Sequence, residues 1–150
     1  MIEKSEAKRR YAEDLCVSEF IHAARYDPKE VILARTGGMG VDFAFECAGS
    51  GSALETALAV TRPGGTICLS GVIPHPILFN WNDVLSKEKS IVTTIAYDDE
   101  FPMVIAMLND GRLRGEPMIT QTFPLQEALA YLTRFEEFGK ENIKMMIDLN

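Results

Sequence analysis

The stretch "GVDFAFECAGSGSALETALAVTRPGGTICLSG", residues 40–71, narrows the choice of fold more than any other part of the chain. "VDFAFE" and "TICLSG" are short and apolar, as buried strands are, while "ALETALAV" between them sets Leu54, Ala57 and Leu58 on one helical face. "RPGG" at 62–65 reads as the turn between that helix and the second strand. Upstream, Ser5 is placed to cap a helix with Ala7, Tyr11, Ala12 and Leu15 at helical spacing, and "EFIHA" reads as a short strand. Asp27, Pro28 and Glu30 combine an N-cap, a first-turn proline and a carboxylate three residues on, so "KEVILAR" is a helix that ends at Gly37-Gly38. Downstream, the Pro-rich "VIPHPILFNWND" leads through a short helix to a strand, "SIVTTIAY". Strands and helices that alternate in this way, with no two-residue periodicity in the strands, indicate an α/β protein: a doubly wound parallel sheet with helices on both faces.

The last third breaks the alternation. "EFPMVIAMLNDG" is an amphipathic helix closed by Gly111, "EPMITQTF" is extended, Pro124 opens the helix "LQEALAYLTRF", and "IKMMIDL" is a final strand. No internal repeat or low-complexity tract interrupts this order.

A chain of 150 residues is long enough to bury a core. Its net charge of −7 argues against a nucleic-acid backbone or an anionic membrane as the main partner, but does not exclude a small anionic ligand. No apolar run approaches the ~20 residues that span a bilayer. The charged N-terminus "MIEKSEAKRRYAEDL" has no signal-peptide core. Cys16, Cys47 and Cys68 are an odd number, widely spaced and never in C-x-x-C, so zinc is weakly supported and a reduced, cytoplasmic setting is the simplest inference.

Ligands of doubly wound sheets sit outside the carboxyl ends of the strands. Here those ends carry Glu3, then Cys47-Ala48-Gly49, then Ser70-Gly71-Val72, then the end of "SIVTT". Small residues at such ends let a planar ligand approach the backbone, and they equally serve to turn the chain. Taken alone, the second reading is favoured. An acidic residue at the end of a second strand accepts hydrogen bonds from adenosine ribose hydroxyls and repels a 2′-phosphate, which gives Glu3 its interest; its plain alternative is a solvated terminal glutamate. Lys8 lies a turn and a half further on, while Arg9 and Arg10 read as surface charges. Cys47 next to Glu46 suggests an activated thiolate, but strand neighbours face opposite ways, so a buried, inert cysteine is the favoured reading. His22 and His75 are isolated and read as surface or satisfied histidines, with His75 nearer the strand ends. No H-E-x-x-H, G-x-x-x-x-G-K-[ST] or G-x-S-x-G motif occurs.

"SEAKRRYAEDL", "DP", residues 37–72, "KEKSI", "FPLQEALAYL" and "NIKMMIDL", in that order over nearly the whole chain, resemble the C-terminal, coenzyme-binding part of medium-chain zinc-type alcohol and polyol dehydrogenases. The nearest likeness is to the butanediol, sorbitol and threonine dehydrogenase branch. The resemblance implies a partial Rossmann-type sheet lacking its first strand and its G-x-G-x-x-G loop, with a C-terminal helix-strand extension. It implies a boundary between residues 1–92, the partial NAD-binding domain, and 93–150, which in the family returns to the catalytic domain. "MITQTF" and "IKMMIDL" would then pair with strands outside this chain.

The resemblance also implies which residues meet NAD. Glu3 matches the acidic ribose binder and Lys8 the basic residue beside the adenosine. Cys47, Ala48 and Gly49 match the strand end along the nicotinamide ribose, Ser70, Gly71 and Val72 the backbone that bonds the carboxamide, and Lys144 a basic residue directed to the pyrophosphate. Glu3 implies NAD rather than NADP. No catalytic or metal-binding residue is expected here, since zinc and its ligands belong to the family's N-terminal catalytic domain. Two positions depart from the family pattern: Thr93-Thr94 replaces the glycine after the sixth strand, and Cys16 stands where a glycine follows the first helix.

Two functions follow. One is the coenzyme-binding fragment of an oxidoreductase that moves hydride between an alcohol or polyol and NAD, inactive alone and binding NAD weakly or not at all. The other is a non-catalytic module that acts by weak nucleotide binding or by association with another chain, a homo-oligomer included.

Overall fold

The computed structural model describes residues 1–149. Among the described residues every strand pairing is parallel, in sheets of order 2–3/21–22, 41–46/61–69/90–93 and 119–124/144–148, and helices connect the strands. The protein is thus α/β and has the partial Rossmann-type form. It forms two compact units, one of residues 25–96, the other of residues 1–24 with the segment from Tyr97 onward. The first 24 residues thus group with the C-terminal third.

The unit of residues 25–96 begins with α2 (Pro28–Arg35), which follows α1 (Arg9–Asp14) and β2 (Ile21–His22) of the other unit. Asp27 Oδ1 accepts the Lys29 N–H at 2.9 Å, as an N-cap should. The helix stops where Gly38 N–H reaches back to Leu33 O at 2.7 Å. Strand β3 (Val41–Glu46), helix α3 (Gly51–Val60) and strand β4 (Thr61–Leu69) follow. Ser50 Oγ accepts the Ala53 N–H at 3.3 Å at one end of α3, and Thr61 Oγ1 donates to Ala57 O at 2.7 Å at the other. Helix α4 (Asn82–Leu85) then precedes β5 (Ser90–Thr93), shorter than the predicted "SIVTTIAY". Leu54, Ala57 and Leu58 of α3 bury Ile67 of β4, with Val84 of α4 alongside.

"RPGG" lies inside β4 rather than before it. Val41 pairs with Thr61 and Phe43 with Thr66, so residues 62–65 bulge out opposite Asp42 alone, and Arg62 Nε holds Asp42 Oδ1 at 2.6 Å. The sheet resumes on both sides of this bulge. The opposite face of this sheet is open: Phe43 and Phe45 are 66% and 71% exposed, with Val92 next to them across Cys68. Helices α3 and α4 lie on the Ile67 face.

The other unit pairs β1 (Ile2–Glu3) with β2 (Ile21–His22) around α1 (Arg9–Asp14). Ser5 does not cap: its hydroxyl donates to Lys140 O at 3.0 Å, and a 3₁₀ turn over Glu6–Lys8 precedes α1. Helix α5 (Glu100–Asn109) has no buried residue. Strand β6 (Ile119–Pro124) is followed by a 3₁₀ turn over Leu125–Glu127, α6 (Ala128–Thr133) and α7 (Phe135–Phe138), so the expected continuous helix breaks at Arg134. Strand β7 (Lys144–Asp148) pairs with β6, Phe123 opposite Ile147. "MITQTF" and "IKMMIDL" therefore find each other within this chain, in parallel register. Buried Phe123 stacks on Tyr131 with ring centroids 3.9 Å apart.

Candidate functional site

The carboxyl ends of β3 and β4 meet over Glu46. Its backbone oxygen accepts the N–H groups of Ser70 and Gly71, both at 2.8 Å, and so draws the turn after β4 against the end of β3. Its side chain folds under the turn after β3, where Oε1 accepts Ala48 N–H at 2.9 Å and Gly49 N–H at 2.8 Å, with Ser50 N at 3.4 Å. Glu46 is 2% exposed, and its Oε2 meets no donor among the described residues.

The two turns touch so closely that side chains are excluded. A Cβ on Gly71 would stand 2.8 Å from Gly49 Cα and 2.5 Å from Glu46 Oε2, and one on Gly49 would stand 2.5 Å from Val72 O. Gly49 also has φ +66, a conformation that side chains other than glycine's rarely adopt. Cys47, Ala48, Ser70 and Val72 are exposed around this contact, Val72 at 77%. Cys47 is thus not the buried thiol expected. It follows the last paired residue of β3, where the chain turns outward.

The remaining candidates belong to the other unit. Glu3 ends β1, and Oε1 of its carboxylate accepts the N–H groups of Lys4 at 2.7 Å and Ser5 at 2.9 Å. Oε2 lies 3.6 Å from Lys8 Nζ, both side chains about a quarter exposed (25% and 26%). A carboxylate oxygen has more than one acceptor site, so this arrangement fixes Glu3 and leaves it able to accept from a diol. Lys144 opens β7 with its side chain exposed.

His22 is buried and satisfied: Nδ1 accepts Ala24 N–H at 3.2 Å, and Nε2 lies 3.6 Å from Glu6 Oε2. His75 is exposed. Among the described residues no three or more His, Cys, Asp or Glu side chains come together as a metal site would require, so these residues do not fit a zinc ion. Among the described residues no helix is long and apolar enough to cross a membrane.

Two cavities open elsewhere in the unit of residues 25–96. One, of about 370 Å³, is lined by Trp81, Val84, Lys89 and Ile91. The other, of about 560 Å³, lies by the amino ends of β3 and β4 and is lined by Lys29, Leu33, Met39, Phe79 and Lys87. None of the candidate residues lines either one, and strand-end chemistry, not cavity size, singles out the Gly49–Gly71 contact. Sequence reasoning missed Glu46 as the residue that organises this contact. Its signal was there: a single carboxylate closing an apolar strand directly before small residues.

Likeness to known proteins bears on identity. The (R,R)-butanediol dehydrogenase of Neisseria gonorrhoeae is 30% identical over 150 residues, which is 99% of this chain and 42% of that protein. The crystal structure of 2R,3R-butanediol dehydrogenase from Bacillus subtilis superimposes with a TM-score of 0.84 at 25% identity, covering 99% of this chain and 43% of the other. Alcohol dehydrogenase TADH from Thermus sp. ATN1 gives 0.85 at 26% identity, covering 98% and 43%. The chain therefore spans about two-fifths of the length of these relatives. The sequence profile described as "Zinc-binding dehydrogenase" matches residues 1–110, and the chain belongs to that family.

Proposed function

We propose that the chain is the coenzyme-binding portion of an NAD-dependent dehydrogenase acting on a secondary alcohol or polyol. The observation that carries this reading is the side-chain-free contact of Gly49 with Gly71 and Val72 at adjacent strand ends, where a flat ligand can rest on backbone. In this reading Cys47, Ala48 and Gly49 lie along the nicotinamide ribose, and Ser70, Gly71 and Val72 offer backbone groups to the carboxamide. Glu3, steadied by Lys8, accepts from the adenosine ribose hydroxyls, and Lys144 attracts the pyrophosphate. Residues 1–92 are the coenzyme part of the division and 93–150 the part that returns to a catalytic domain. The coenzyme, when bound, supplies the hydride acceptor; this chain's residues bind and orient it. The butanediol dehydrogenases among the relatives suggest the substrate class. A reduced, cytoplasmic setting belongs to the same proposal.

Titration with NADH and NADPH, followed by nicotinamide fluorescence, tests it. Weak NADH binding that exceeds NADPH binding is expected, because Glu3 repels a 2′-phosphate; preference for NADPH overturns the assignment. Assayed alone with zinc, NAD and butanediol or sorbitol, the chain is expected to be inactive. Zinc-dependent turnover would refute that expectation.

The open face of Phe43 and Phe45, and Leu78 at 94% exposure, favour a second reading as a non-catalytic module that associates with another chain or with its own copies. Sedimentation at increasing concentration separates the two: a monomer throughout argues against association.

A further inference from the structure

We propose that the cavity of about 370 Å³ beside β5 is a binding site for a small aromatic carboxylate, with Lys89 as the group that holds the anion. The site is separate from the coenzyme reading above: Lys89 directly precedes β5, and no coenzyme candidate lines this cavity. Lys89 is 6% exposed, and its Nζ donates to Leu58 O in the last turn of α3. Among the described residues that carbonyl is its one acceptor. An ammonium has three N–H groups, so two are left for a ligand, and a buried donor without an acceptor costs free energy. Burial, and then Lys87, disfavours the charged form, while Asp83 favours it. An anion in the cavity favours the ammonium whatever share of it the free chain holds, so ligand and proton reinforce each other.

The rest of the lining sets the body of the ligand. Trp81 offers an aromatic wall, and Val84, Leu85 and Ile91 are aliphatic. The volume is that of a pocket for a small organic molecule rather than for a bare ion. Glu88 is the other charged residue of the lining, and it is exposed. A carboxylate in water acts weakly on charges near it, whereas the buried Lys89 is little screened, so the lysine decides the sign of the ligand.

Trp81 is the only tryptophan in the sequence, so its fluorescence reports on this cavity. The test titrates the wild-type chain and Lys89→Met at neutral pH with benzoate and with benzamide, its uncharged counterpart of nearly the same shape. Benzoate is expected to change the emission saturably in the millimolar range. Its affinity is expected to exceed that of benzamide about tenfold, the size of one hydrogen bond to a charged group. Lys89→Met, which puts an apolar chain in place of the amine, is expected to lose that preference and keep benzamide binding. No saturable change with benzoate overturns the proposal, as does equal affinity for the two ligands. Both outcomes are read on the wild type and need no variant to fold. A preference for benzoate that survives in Lys89→Met overturns it as well.

Discussion

Helices α3 and α5 are each ten residues long and apolar, yet α3 buries Leu54, Ala57, Leu58 and Val60 while α5 buries nothing. The difference lies in their connections. Helix α3 joins β3 to β4, two strands that pair with each other, so the chain itself lays it onto their sheet. Helix α5 runs into a segment that leads to β6, whose partner is β7. Apolar spacing tells that a helix has a face to bury; connectivity tells whether its own sheet lies beneath it. The largest expected effect comes from Ile67, fully covered by α3. Ile67→Ala is expected to cost about 3–4 kcal/mol in urea unfolding, and Leu108→Ala in α5, at 43% exposure, less than about 1 kcal/mol. Equal losses at the two sites would break the comparison.

The same contrast holds for glycines. Gly71 is required by close approach, Gly37 by its backbone angle of φ +60 with nothing within 4 Å of a Cβ. Gly71→Ala must push two turns apart and is expected to cost about 2–3 kcal/mol, with faster amide exchange at 48–50. Gly37→Ala meets open space and is expected to cost about 1 kcal/mol, with exchange at 48–50 unmoved. Unfolding and exchange measured on both variants decide this, and a Gly71→Ala chain as stable as wild type would mean that the turns part easily.

What was legible in the sequence follows the same line. The central strand–helix–strand unit was readable because Asp27-Pro28, Ser50 and the spacing of Leu54, Ala57 and Leu58 all signal locally. The bulge at 62–65 was not, since turn residues give no sign that pairing resumes beyond them. Ser5 was misread because a hydroxyl before a helix has other partners open to it, here Lys140 O, 135 residues away. Of the candidate site, the glycines and Glu3 could be picked out by type and position. Cys47 was misjudged in burial and Glu46 in role, because where a side chain goes after the last residue of a strand depends on a neighbouring turn from elsewhere in the chain.

A smaller effect tests the two helix ends. Helix α1 closes with Cys16 N–H on Glu13 O at 3.0 Å and Val17 N–H on Ala12 O at 2.9 Å, the bonding that usually puts a left-handed glycine between them. Here that residue is Cys16, at φ +58. Cys16→Gly is expected to stabilise the chain by about 0.5–1 kcal/mol, the relief of a left-handed side chain less the added freedom of the unfolded glycine. The urea midpoint reads it, and a lower midpoint would mean that the thiol has contacts worth more than the backbone strain.

The smallest effect concerns the buried end of α3. Lys89 Nζ donates to Leu58 O in the last turn of that helix, so an ammonium there completes a helix terminus inside the packed unit. Burial, and then Lys87 nearby, holds Lys89 below its ordinary value of 10.5, while Asp83 acts the other way. A lysine whose folded value is depressed destabilises the fold while both states are protonated. Between the lowered folded value and 10.5 the unfolded chain binds more protons than the folded one, so stability contributed by this group rises with pH across that window. Measured against Lys89→Met, which cannot titrate, the wild type is expected to gain stability as pH climbs toward 10.5 and to show no relative change below the window. The difference between the two chains isolates this group from other titrations. A relative loss with rising pH would mean that the bond to Leu58 O stabilises the ammonium by more than its burial disfavours it.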